Sequence, residues 1–176
     1  MKCDLIFTVL PFVLLISCGE QARRQSTEEL EDTRTHNMAE NFNSYINDGW
    51  NKKDFLILKD IAVENYVRNL NGVKVADHQN EVEANMNLFF NGFPDAMVTT
   101  DKIVLAGDHL FAQWTFIGTN TGVFGESPPT GKKVNVSGCS TLKFNNEGKM
   151  VQEDSYYNEL EMLQQLGYTL VPPVFE

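Results

Sequence analysis

Basic residues are scarce in this chain. Lys and Arg number 14 against 24 Asp and Glu, a formal net charge of −10. Such a balance repels phosphate backbones and anionic lipid surfaces, so neither nucleic acid nor a bare membrane surface is expected as a partner. Histidine is as sparse. His36, His78 and His109 have no metal-ligand neighbours at useful spacing, so no metal site is expected. Cysteine occurs three times, at Cys3, Cys18 and Cys139, too few for a disulfide framework. Cys139 lacks a basic neighbour and falls in an expected strand, which reads as a small buried residue rather than a nucleophile. There is no glycine-rich phosphate loop opening a helix and no Gly-x-Ser-x-Gly elbow, so no cofactor is expected.

No apolar run is long enough to span a bilayer comfortably. The longest, Leu5–Ile16, follows Lys2 and has the proportions of a signal peptide's apolar region. It ends in Leu15-Ile16-Ser17-Cys18-Gly19, which looks like the bacterial lipobox. That likeness implies a signal peptide over 1–17, lipidation at Cys18, and a lipoprotein of the bacterial cell envelope attached through its lipid alone. Losing Lys2 and Asp4 with the segment leaves the net charge at −10. Residues 18–25 read as a polar tether and 26–176 as one domain.

What is present is an ordered succession of patterns. Ser26 and Glu29 fit a capping box, and Leu30, Met38, Phe42, Tyr45, Ile46 and Trp50 recur at helical spacing to about Asn51. Phe55, Leu58 and Ile61 predict a short second helix. Glu64–Asn69 reads as extended, turning at Asn69–Gly72. A third helix from Asp77 carries Val82, Met86, Phe89, Phe90 and Phe93 on one side, and Pro94 closes it. Strands are then expected at Met97–Leu105, Leu110–Gly118, Lys133–Phe144 and Lys149–Tyr157, with a last helix over Asn158–Leu166 ending at Gly167. Helices first and an antiparallel meander after them predict an α+β fold: a cone-shaped, curved antiparallel sheet with N-terminal helices over its concave face. Such a cone commonly holds an apolar pocket.

Candidate site residues lie at strand ends and in the loop Gly118–Gly138, whose glycines bracket Thr119, Asn120 and Thr121 before Pro128-Pro129 stiffens the return. That loop is either a pocket rim or an ordinary long hairpin connection. Trp114 and Asn120 share a parity if the strand stays regular. Gln152, Asp154 and Tyr156 share a face that Asn158 continues. Asp154 is a general base if desolvation raises its pKa, and otherwise an exposed strand carboxylate.

The segments GTNTG, PPTGKKVNVSG, a Gly-Lys-Met turn and YYNELEMLQQLG, with Phe93-Pro94-Asp95 and Gly107-Asp108, resemble the SnoaL-like polyketide cyclase family, of the nuclear-transport-factor-like superfamily. The resemblance covers Phe42 to Pro173. It implies a cofactor-free intramolecular aldol cyclisation of a polyketide methyl ester, with an aspartate as acid/base and a small apolar carbonyl compound in the cone. Aligned on Gln165-Leu166-Gly167, that aspartate falls on Asn158, an amide that cannot shuttle a proton. A frequent histidine becomes Asn120, another becomes Asn69, and a frequent tryptophan becomes Asp154. The expectation is therefore a pocket rebuilt for hydrogen bonding. Asn69, Trp114, Asn120 and Tyr156 would bind, Asn158 would hold the ancestral catalytic position, and Asp154 would supply a relocated base. The alternatives are a non-catalytic, lipid-anchored binding protein, or an interaction module whose copies pair as a homodimer through the outer face of the sheet.

Overall fold

The computed structural model describes residues 14–172, with side chains from Arg23 onward apart from Ser26. Most of the expected signal segment and the side chain of Cys18 lie outside the described residues. Among the described residues, no helix is long and apolar enough to cross a membrane.

Helix α1 spans Leu14–Ser44. Ser26 and Glu29 therefore lie inside it rather than at its start, and the stretch expected as a tether is helical. The chain divides into two units, residues to Thr33 and Arg34–Glu176. In the first, residues 27–33 are exposed, and the Thr27 and Thr33 hydroxyls donate to the Arg23 and Glu29 carbonyls at 2.8 Å.

The second unit carries the core, which begins at Met38. Met38, Phe42, Tyr45 and Ile46 recur at helical spacing and are all buried. At Tyr45 the helix widens into a π-helical turn over Tyr45–Asn51. A short 3₁₀ turn, Phe55–Ile57, leads into α2, Leu58–Ile61, and then β1, Ala62–Leu70. β1 runs on to Leu70, so the turn is tighter than Asn69–Gly72 implied. Asn71 and Gly72 take φ of 50° and 82°, the two left-handed positions of a type I′ hairpin, and β2 returns over Val73–Ala76. Helix α3, Gln79–Gly92, buries Val82, Met86, Phe89 and Phe90. Strands β3, Met97–Ala106, β4, His109–Thr119, β5, Lys133–Phe144, and β6, Met150–Tyr157, follow. Helix α4, Glu159–Leu166, is closed by Gly167 at φ 101°, a value that favours glycine.

The six strands form one curved sheet in the order β2-β1-β6-β5-β4-β3. The meander expected from sequence is present in β3–β6, but β1 pairs with β6 in parallel, so the sheet is mixed rather than antiparallel throughout. A parallel pair needs a long crossover, and here everything between β1 and β6 supplies it. The pairing sets Arg68 opposite Glu153 and Asn69 opposite Asp154. Cys139, expected to be buried, is exposed on β5, because its neighbours Gly138 and Ser140 take the inward positions.

Candidate functional site

The inward face of the sheet and the helices α1, α3 and α4 enclose one apolar cavity. Its walls include Phe42, Ile46, Trp50, Phe89, Phe116 and Met162. The space open to the centres of water-sized molecules is about 50 Å³. At roughly 10–15 Å³ for one water on that measure, this is room for about four waters or a compact ligand.

The π-helical turn shapes one wall. Widening sets Tyr45 and Trp50, five residues apart, on the same side, with ring centroids 6.4 Å apart at 77°. Both line the cavity.

Within this apolar shell lies a polar cluster built on adjacent strands. Arg68 and Glu153 are only 3% and 4% exposed. Arg68 Nε lies 3.3 Å from Glu153 Oε2. The pair lacks hydrogen-bond alignment, since Nε makes no hydrogen bond, so the attraction is Coulombic rather than directed. Glu153 Oε2 accepts from the Tyr45 hydroxyl at 2.9 Å and the Tyr66 hydroxyl at 3.3 Å. Its Oε1 accepts from Ser140 Oγ at 3.0 Å, and Ser140 in turn accepts from Trp114 Nε1 at 3.0 Å. The Ser140 and Ser155 hydroxyls are 3.0 Å apart.

Arg68 stacks on Trp50, with Cζ 5.0 Å from the ring centroid. Burial works against the guanidinium charge, but Tyr45, Glu153 and Tyr66 around it more than offset this, and the net direction of its pKa is upward. Burial likewise pushes the Tyr45 and Tyr66 phenols above the ordinary tyrosine range, and Tyr157 up to about 12. A second nitrogen of Arg68 is unmet besides Nε. Arg68 Nη1 is buried and finds no acceptor among the described residues.

Within Gly118–Gly138 only Val136, already on β5, lines the cavity, and residues 120–132 between β4 and β5 contribute none of the lining. Instead that loop is stitched to the end of α3. Asn120, with no exposed surface, donates through Nδ2 to the carbonyls of Gly92 at 3.1 Å and Gly122 at 2.9 Å. Its Oδ1 accepts from Thr130 N at 2.8 Å and Thr130 Oγ1 at 2.9 Å. Close approach demands glycine at 122, where a Cβ would meet the Asn91 carbonyl oxygen at 1.8 Å. Phe124 then packs on Phe89 and Phe93, at centroid distances of 5.4 and 5.2 Å. Asp95 holds the loop's start, accepting from Thr119 N at 2.6 Å and Thr119 Oγ1 at 2.7 Å. Those two bonds favour its ionised form and lower its pKa.

Of the residues singled out from sequence, Trp114 lines the cavity. Asn69 and Asp154 are brought together by the parallel pairing, with Nδ2 donating to Oδ1 at 2.6 Å, but on the alternate face from Arg68 and Glu153. Asp154 also accepts from Gln152 Nε2 at 2.8 Å. Tyr156 is 49% exposed, whereas its neighbours Ser155 and Tyr157 line the cavity. Asn158 is the N-cap of α4, exposed, its Oδ1 accepting from Glu161 N at 3.1 Å. The inward row of β6 is thus Glu153, Ser155 and Tyr157, one residue out of phase with Gln152, Asp154 and Tyr156.

Sequence reasoning missed Arg68, Glu153, Tyr45, Ser140 and Ser155. A signal existed: Tyr66, Arg68 and Leu70 share a parity, and a charged residue between two large apolar ones is either an edge or a buried partner.

At the start of α3, ligand-type atoms of Asp77, His78 and Glu81 come within 4.8 Å of one another, a grouping the sequence spacing was not expected to yield. They are already engaged. Asp77 binds Lys74 at 2.7 Å and His78 at 2.6 Å, and Glu81 accepts from Asp77 N at 2.8 Å. These contacts hold the chain at the entry to α3, whose N-cap residue, His78, makes no side-chain capping bond.

The profile of the SnoaL-like polyketide cyclases matches residues 40–166. The chain belongs to the SnoaL-like polyketide cyclase family. Similar solved structures bear out the fold. A proposed SnoaL-like polyketide cyclase from Jannaschia sp. CCS1 is 18% identical, with a TM-score of 0.70, covering 78% of this chain and 94% of its own. IdmH, a proposed polyketide cyclase from Streptomyces antibioticus, is 20% identical with a TM-score of 0.64, covering 74% of this chain and 99% of its own. AclR, a proposed hydroxylase from Streptomyces galilaeus, is 23% identical with a TM-score of 0.63, covering 74% and 97%. No curated protein sequence matches the chain. The SnoaL-like fold is therefore present here.

Proposed function

We propose that this SnoaL-like protein binds a small, largely apolar carbonyl compound in its interior cavity, with the carbonyl oxygen taking the free N–H of Arg68. The observation that carries this reading is the guanidinium of Arg68, a cavity-lining residue whose Nε and Nη1 are buried without a hydrogen bond. Leaving such a donor unmet costs about 1–3 kcal/mol or more. A buried ion pair adds little net stability in return, since desolvation offsets most of its attraction. The cluster is thus poorly explained by folding and well explained by a ligand. Both tryptophans of the chain, Trp50 and Trp114, line the cavity, so their emission reports its occupancy. Titration with small ketones is expected to give a saturable change in fluorescence; a panel of them without any saturable change would refute the reading.

A second reading is cofactor-free cyclase- or isomerase-type proton transfer on such a compound. It is favoured by the placement of the Glu153 carboxylate and the Arg68 donor on one wall, a base and an oxyanion partner for enolisation. Deuterium uptake next to the carbonyl of a bound ketone, lost in Glu153→Gln, is the expected outcome. Uptake equal to buffer alone leaves binding as the function. Attachment to the envelope membrane through a lipid on Cys18 forms part of the same proposal, and rests on the lipobox-like sequence. Cys18→Ser is expected to release the protein from the membrane fraction, and persistence there would defeat it.

A further inference from the structure

The binding site described above has a feature that goes beyond binding: its one buried cation is already paired. Among the described residues, Arg68 is the only Lys, Arg or His on the cavity wall, and Glu153 the only Asp or Glu. The two sit 3.3 Å apart, opposite each other on β1 and β6. We propose that Glu153 is the charge filter of this cavity, so that the site admits a neutral carbonyl compound and rejects the carboxylate of the same shape.

The discrimination is electrostatic and rests on the binding reading. A neutral carbonyl oxygen satisfies Nη1 and leaves the buried cluster with zero net charge. A carboxylate in the same place would satisfy Nη1 equally well, yet would bring a second negative charge beside Glu153 with one cation between them. It would also shed its hydration into walls built mainly of Phe42, Ile46, Trp50, Phe89 and Phe116. Like charges in a low-dielectric site repel far more than in water. The hydroxyls of Tyr45, Tyr66 and Ser140 do not relieve this, because they already donate hydrogen bonds to Glu153. Arginine alone in an apolar pocket is a carboxylate receptor. Arginine with its own buried carboxylate is a neutral hydrogen-bond donor held in place, and Glu153 is what makes the difference.

The test compares butanone, propanamide and propanoate, which share a skeleton and fit the compact cavity, by tryptophan fluorescence on the folded protein. Butanone and propanamide are expected to bind at least about tenfold more tightly than propanoate. In Glu153→Gln, which keeps the side-chain shape and frees the charge of Arg68, propanoate is expected to gain at least about tenfold relative to butanone. The melting transition of the variant checks that it is folded. Should it fail to fold, the wild-type protein still decides: propanoate binding is expected to strengthen as pH falls and the ligand becomes the neutral acid. Equal or tighter binding of propanoate at neutral pH, or an unchanged ratio in folded Glu153→Gln, overturns the charge filter while leaving the cavity as a binding site. Absence of binding by all three probes overturns the binding reading and the filter with it.

Discussion

Tyr157 shows how much one side chain's meaning depends on which face it takes. It lines the cavity, and burial raises its phenol from the ordinary 10.0 to about 12. Tyr156, next in line, is half exposed on the other face. Because the folded-state value of Tyr157 lies above the unfolded one, its contribution to stability is complete below about pH 10. It falls away as pH rises towards 12. Tyr45 and Tyr66 shift in the same direction. An ultraviolet titration of the five tyrosines is therefore expected to show a late-ionising class, released only when alkali unfolds the chain. Ionisation of all five in a single step near 10 would contradict the buried cluster. Asn120 was legible as a special residue because glycines bracket it. Its partners Gly92 and Thr130 were not, since one of them lies on a different element.

At the scale of elements, the fit between β4 and β5 sets the wall on which Trp114 stands. Gly138 pairs with Trp114, and a Cβ at Gly138 would come within 2.3 Å of Trp114 Cζ2 and 2.7 Å of the Tyr156 carbonyl oxygen. Neither neighbour can yield without moving the cavity wall, because the indole N–H is tied to Ser140. Gly138→Ala is expected to cost about 1–3 kcal/mol by overpacking. It should also shift tryptophan emission as the Trp114–Ser140 bond is lost. A variant with wild-type melting and emission would show that the strand can absorb the methyl group. The helices and the four-strand meander were readable from period and turn chemistry, including Pro94 and Gly167 as stops. The short β2 was not, because four residues carry too little pattern. The π-helical turn was also invisible, since Tyr45, Ile46 and Trp50 fit an ordinary helical stripe equally well.

At the scale of the whole molecule, the buried core and the cavity belong to the unit that starts at Arg34. A chain beginning at Arg34 is expected to melt as the longer chain does and to retain the tryptophan response to ligand; a large loss of melting temperature would refute that independence. The amino-acid sequence by itself determined the α+β class, most of the order of the elements and the net negative charge, because these follow from composition, local periodicity and turn residues, while the family was legible through the resemblance carried by segments such as GTNTG and YYNELEMLQQLG. Tertiary structure alone decided the site. Strand periodicity defines two alternating rows in β6 but cannot say which one faces inward, since both rows carry polar residues and neither is cleanly apolar. The parallel pairing of β1 with β6, between segments more than eighty residues apart, resolves that choice. It turns Glu153 inward against Arg68 and Asp154 outward against Asn69.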